Sequence, residues 1–225
     1  LKQWGQKPED IDPSVTARVP VLISEDNGYF QDAYQGMPLE GFTPLFEKML
    51  DYPSIHVMLD SDATELLRLE DGQVYFQGKP FTGQVIFTGP IDEFFSCCYG
   101  QLPYRSLHFV FEHYEKSDYQ PKAVVNYTVS EDYTRITEFK KLTGQKKPEH
   151  TTIMKEYPMP YNGKPGEIPY YSIINDENLA LYQKYCQLLE GYPNFHLLGR
   201  LAEYKYYNID AIVDKALTLA NTLLG

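Results

Sequence analysis

The 225 residues carry 31 acidic against 20 basic side chains, a formal net charge of −11 at pH 7. That balance argues against electrostatic binding to nucleic acid or to an anionic membrane surface, yet a few converging arginines can still hold a small anion on an acidic protein. The length allows one or two domains with a sizeable core, and the 20 tyrosines offer flat apolar contact plus one hydrogen bond each, which suits sugars and nucleobases.

Residues 1–17 are polar, hold Pro8 and Pro13, and read as the end of a helical segment and a linker. The chain opens on Leu1 without an initiator methionine, as a cut through a longer protein would. Residues 18–23 predict a short strand and 24–28 a turn. Phe42, Leu45, Phe46, Met49 and Leu50 recur at helical spacing and predict a helix over 42–50, stopped by Pro53. Residues 55–59 follow as a strand, and 66–77 as a hairpin about Asp71-Gly72. The apolar run 84–87 predicts a strand buried on both faces, followed by Thr88-Gly89-Pro90 and an acidic helix start at Asp92-Glu93.

The rhythm then changes. Residues 106–114, 123–129, 134–140 and 151–157 are rich in β-branched and aromatic types with polar loops between them, so they predict an antiparallel sheet. Residues 141–150 form a lysine-rich, solvated loop. A helix over 175–189, capped near Asn175, leads to a strand at Phe195, a glycine turn, and a last helix over 210–224. The fold class is therefore α/β plus antiparallel β, an α/β domain interrupted by the sheet.

Cys97 and Cys98 are adjacent and Cys186 is distant, which fits a reduced, cytoplasmic chain with small buried thiols. The five histidines show no metal-ligand spacing, so no metal is expected. No apolar run approaches a membrane span and no signal peptide is visible.

Chemistry concentrates in a few places. The segment from Gly199 to Asn208 follows a strand and precedes a helix, the position at which α/β proteins expose free N–H groups to ligands. It places one arginine and three tyrosines in eight residues, at Arg200, Tyr204, Tyr206 and Tyr207. Arg18, Arg135 and Arg200 each stand at the edge of an element, with tyrosines beside them; guanidinium forks arranged in this way can converge on a phosphate. Taken singly, each arginine reads as well as a solvated surface charge, and the tyrosines as half-buried packing. Glu156, just before Pro158, reads as an exposed strand position. There is no Ser-His-Asp order, no reactive-cysteine context and no close carboxylate pair. The residues alone point to a sugar or nucleotide site.

Ten collinear stretches make the chain resemble bacterial UDP-galactopyranose mutase: Lys2-Gln3-Trp4-Gly5, Arg18-Val19-Pro20-Val21, Asp26-Asn27-Gly28-Tyr29-Phe30, Tyr34-Gln35-Gly36, Thr88-Gly89-Pro90-Ile91-Asp92, Tyr104-Arg105-Ser106-Leu107, Tyr133-Thr134-Arg135-Ile136, Lys155-Glu156-Tyr157-Pro158, Pro169-Tyr170-Tyr171, and residues 199–207. The resemblance implies a flavoenzyme, with FAD as cofactor, that interconverts UDP-galactopyranose and UDP-galactofuranose. In that family reduced flavin attacks the anomeric carbon through N5, UDP leaves, and the covalent adduct lets the ring open and reclose. It further implies that Arg18 and Arg135 clamp the diphosphate, and that Tyr29, Tyr171 and Tyr206 surround the diphosphate and sugar. Trp4 would line the sugar pocket, Asn126 would sit on the uridine side, and Gly199, Arg200, Tyr207 and Asn208 would meet the flavin. A homodimer is implied as well.

By the same resemblance, residues 1–17 end a helical substrate segment, 18–35 enter the substrate sheet, 36–100 and 173–225 belong to the FAD domain, and 101–172 form the substrate sheet. Two departures stand out. No glycine run matches the dinucleotide fingerprint, so the chain is expected to be a C-terminal portion that is inactive by itself. Asn208 stands where the family often has Asp. The alternative reading is a UDP-sugar-binding module that needs no flavin.

Overall fold

A computed structural model of the chain describes residues 2–5, 7, 9, 11, 13, 23–25 and 31–225. The expected strand over 18–23 lies outside the described residues except for Ile23, as do Arg18 and Tyr29. Helix α1 (Phe42–Leu50) is followed by the single-turn α2 (Ala63–Leu66), whose first N–H groups are met by Asp62: its carboxylate accepts from the Thr64 backbone at 2.8 Å. β1 (Leu67–Glu70), β2 (Gln73–Phe76) and β3 (Lys79–Pro80) form a small antiparallel meander. Its first turn is the expected Asp71-Gly72, both in the left-handed region at φ 49° and 76°.

β4 (Val85–Phe87) runs parallel to β10 (Phe195–Leu197), which lies more than a hundred residues further on. Val74, Val85, Phe87, Phe195 and Ala202 form one core cluster over this pair. The second cluster gathers Ile91 of α3 (Ile91–Phe94), Leu102, Tyr104, Tyr185 of α5 (Asp176–Gln187) and Tyr204. Leu189 and Leu197 pack against both clusters and join them. α5 is capped by Asn175, whose side chain accepts from Asn178 N–H at 2.8 Å.

Between these parts of the α/β region lies the antiparallel sheet, with β5 (Tyr104–Tyr114), β6 (Val124–Asn126), β7 (Arg135–Glu138), β8 (Thr151–Pro160) and β9 (Tyr171–Ser172) in the order β6-β7-β8-β5-β9. The last helix, α6 (Ile209–Leu224), closes the chain. Glu138, fully buried at the end of β7, accepts from Tyr119 N–H (3.0 Å), Gln120 N–H (3.1 Å) and the Thr151 hydroxyl (2.6 Å). These bonds hold its carboxyl below the ordinary glutamate value against the opposing effect of burial, the largest single influence.

Four expectations change. Residues 55–59 form no strand and Ile55, Val57, Met58 and Leu59 are exposed, because no other described segment pairs with them. The apolar face of α1 is present but exposed along Phe42, Leu45, Phe46, Met49 and Leu50. β4 is buried on one face, with Ile86 at 42% exposure, because among the described residues only β10 flanks it and the meander core lies on one side. The lysine-rich stretch is not all loop: Phe139–Thr143 is a short helix, α4, ended by Gly144 at φ 70°. Its Lys141 lies 3.3 Å from Asp118 and 3.7 Å from Glu138. Among the described residues, no helix is long and apolar enough to cross a membrane.

Candidate functional site

Strand register builds one side of the site. Asn126 pairs with Arg135, Arg135 with Glu156, and Glu156 with Phe109. Directly opposed residues share a sheet face, so a polar row runs across β6, β7 and β8 and ends against Phe109 on β5. Four residues before Phe109, Arg105 lies on the same face and pairs with Tyr171 of β9. Within the row, Arg135 Nε donates to Asn126 Oδ1 at 3.0 Å, and its Nη1 lies 3.6 Å from Glu156 Oε1. Glu156 is buried at 7% exposure, contrary to the exposed position its place in the sequence predicts. Burial pushes its carboxyl up, while the Arg135 charge pulls it back down. A period-two pattern does not say which face is covered, so Glu156 was visible as a residue but not as part of the site.

The opposite wall is aromatic. Tyr171 and Tyr206 stack with centroids 6.0 Å apart at 14°, and Trp4 meets Tyr171 edge-on at 5.3 Å and Tyr206 at 6.4 Å. The Arg200 guanidinium lies 4.0 Å from the Tyr206 ring centroid. Burial raises the Tyr171 phenol's pKa, helped by the neighbouring Tyr206 and Glu156 and opposed by Arg135 and Arg200. The register through Phe109 and Arg105 puts Tyr171 on the same sheet face as the polar row, two strands over from Glu156.

The turn from Gly199 to Asn208 is anchored from below. Ala202 and Tyr204 are buried in the two core clusters. Tyr204 sits in the left-handed region at φ 47°, uncommon for a bulky residue. Its phenol oxygen bridges the carbonyls of Pro103 (2.5 Å) and Ile173 (3.0 Å), tying the turn to the start of β5. Glu203 organises the remainder. It accepts from Gly199 N–H at 2.9 Å, from the Tyr207 hydroxyl at 3.1 Å, and from Lys215 of α6.

The Gly199 N–H is thus engaged inside the turn rather than turned toward a ligand. The Tyr207 carbonyl accepts from Arg200 Nε at 2.7 Å, and the guanidinium lies over Tyr206. Asn208 is the N-cap residue of α6. Glu203 is the residue that sequence reading overlooked here; its signal was an acid four residues after a turn glycine.

The space beside Gly199 is open. Gly199 has φ 104°, and no atom lies within 4 Å of where a Cβ would stand. It follows the C-terminal end of β10 in a parallel pair, the edge at which α/β sheets receive ligands. Among the described residues, none supplies the glycine turn that cradles a dinucleotide pyrophosphate. Trp4, Tyr171, Tyr206 and Arg200 form one contiguous group, and Asn126 and Arg135 a second on the sheet face that Tyr171 shares. Among the described residues, no group of His, Cys, Asp and Glu is arranged to hold a metal ion.

A profile of the GLF family, UDP-galactopyranose mutase, matches residues 1–206. A UDP-galactopyranose mutase of Mycoplasma pneumoniae is 39% identical over 228 residues, covering 100% of this chain and 57% of the relative. A probable UDP-galactopyranose mutase of Klebsiella pneumoniae is 35% identical over 226 residues, covering 100% and 55%. A dTDP-fucopyranose mutase of Escherichia coli is 34% identical over 223 residues, covering 97% and 56%. The chain spans a little over half the length of these relatives.

Proposed function

The chain belongs to the UDP-galactopyranose mutase family, and from that premise we propose that it serves the interconversion of UDP-galactopyranose and UDP-galactofuranose, holding the diphosphate and the sugar beside a flavin. The observation that carries this reading is the preset Asn126-Arg135-Glu156 row on the sheet face that also bears Tyr171 of the Trp4-Tyr171-Tyr206 wall. A guanidinium fork suits a diphosphate, and its charge favours the departing UDP, which gains a negative charge as the glycosidic bond breaks, over the dianionic diphosphate of the bound substrate. Asn126 and Glu156 hold that fork in one orientation before the substrate arrives, which lowers the cost of ordering it. The three rings offer a sugar its apolar faces and phenolic hydrogen bonds. Arg18 joins Arg135 on the diphosphate and Tyr29 adds a further phenol. Arg200, with Gly199, Tyr207 and Asn208 about it, meets the flavin ring, which when reduced and bound supplies the nucleophile for the anomeric carbon.

In this reading residues 101–172 are the substrate sheet, and 36–100 and 173–225 belong to the FAD domain. The remaining length seen in the relatives supplies the pyrophosphate cradle, and the enzyme is a cytoplasmic dimer. The relative named for dTDP-fucopyranose makes the base and sugar the points to test. Calorimetric titration of the chain with UDP and with dTDP, repeated with Arg18→Ala and Arg135→Ala, tests the reading. UDP binding that both substitutions abolish is expected. Binding that survives Arg135→Ala would overturn the diphosphate role, and tighter binding of dTDP would reassign the substrate. UDP binding without flavin uptake would favour a binding module.

A further inference from the structure

Residues 2–5 form a strap across the site face of the sheet. Lys2 Nζ donates to the carbonyl of Tyr127 at 2.8 Å, next to the edge strand that carries Asn126. Gln3 offers its carbonyl to Arg105 Nε at 3.2 Å, at the other side of the sheet. Trp4, between Gln3 and Gly5, places its ring on Tyr171 and Tyr206. Gly5 then turns away at φ 66°, so close to Arg105 that a Cβ there would stand 3.1 Å from Nη1 and 3.2 Å from Cζ.

Arg105 is the residue common to both walls. Its backbone is paired with Tyr171, and its carbonyl accepts from Tyr170 N–H at 3.0 Å. Its guanidinium meanwhile holds the strap. The Lys2 contact comes from a flexible ammonium, the weaker kind of tie, whereas the Arg105 fork is planar and partly desolvated by its surroundings, as the lowered pKa of the group records. We propose that Arg105 is a positioning residue: its guanidinium sets the strap so that Trp4 closes the aromatic wall against Tyr171 and Tyr206. The role given to that wall rests on the sugar-binding reading above; the tie between Arg105 and Trp4 does not.

Trp4 is the chain's single tryptophan, so its emission, excited where tyrosine does not absorb, reports this wall alone. Arg105→Ala is expected to shift the emission to the red and to raise quenching by acrylamide, with the far-UV dichroism retained. Arg105→Lys should recover part of both, because an ammonium can reach the Gln3 carbonyl but gives no flat surface to Gly5. Gly5→Ala, which leaves the sheet untouched, should produce the same red shift, and it decides the matter if Arg105→Ala does not fold. Wild-type emission and quenching in a folded Arg105→Ala protein, or in Gly5→Ala, would overturn the proposal. The same signal titrated with UDP-galactose separates the two ideas. A wild-type Trp4 indifferent to UDP-galactose counts against the sugar site, and the variants still judge the strap.

Discussion

Replacing Arg135 with alanine should destabilise the fold in a pH-dependent way, because it leaves Glu156 buried without its cation. At 3.6 Å the pair is worth about 5 kcal/mol at an effective dielectric of about 20, and about 1 kcal/mol in water. The Arg135 side chain is 32% exposed and that of Glu156 9%. The pair is therefore half screened, and a net loss of about 1–3 kcal/mol is expected, below the full cost of stranding a wholly buried charge. For a chain of this size that lowers Tm by about 3–10 °C.

The sign of the pH dependence follows from Glu156. Burial already holds its folded pKa above the ordinary 4.5, and losing Arg135 raises it further. Between the ordinary value and the raised one, the folded protein keeps a proton that the unfolded chain has released, so stability falls as pH rises through that window. The deficit of Arg135→Ala relative to wild type should be full above the folded pKa of Glu156 and should shrink on acidification. Urea unfolding at about pH 5 and about pH 8 measures it. Adding Glu156→Gln should recover most of the loss at the higher pH. Equal deficits at both pH values, or no recovery in the double variant, would refute the reasoning.

Glu203→Ala removes the acceptor shared by Gly199 N–H, the Tyr207 hydroxyl and Lys215, and should cost about 1–3 kcal/mol in chemical denaturation, with faster proteolytic cleavage within residues 199–207. An unchanged midpoint would show that the turn is held by its buried side chains alone. Tyr204→Phe should cost only about 0.5–1.5 kcal/mol, because the carbonyls it abandons keep other partners: Pro103 accepts from Ile173 N–H at 3.1 Å, and Ile173 from Asn178 Nδ2 at 2.7 Å. A much larger loss in thermal unfolding would mean that the phenol holds the left-handed backbone of residue 204 in place.

Local chemistry was legible without coordinates. Asp71-Gly72 marked a hairpin, Asn175 a helix start, and the spacing of Phe42 to Leu50 a helix, because turn conformation, capping and periodicity are set by near neighbours in the chain. Four of the five strands of the antiparallel sheet were legible for the same reason, whereas the two-residue β9 was too short to show a pattern. What failed depended on partners. Residues 55–59 have a strand's composition, but a strand exists only when another segment takes its hydrogen bonds. Ile86 belongs to a run suited to a two-sided sheet, but a single neighbouring strand and a one-sided core leave it exposed.

The sequence by itself determined which side chains are available: a guanidinium at 135, a second at 200, phenols at 171 and 206, and an indole at 4. Only the folded chain brings the indole, the two phenols and Arg200 into contact, buries Glu156 beside Arg135, and puts Glu203 rather than a ligand on the Gly199 N–H. The physical reason is range. Helix caps and turns are closed by groups a few residues apart, whereas the site depends on strand register, and a register shift by one residue would send every member of the row to the opposite face.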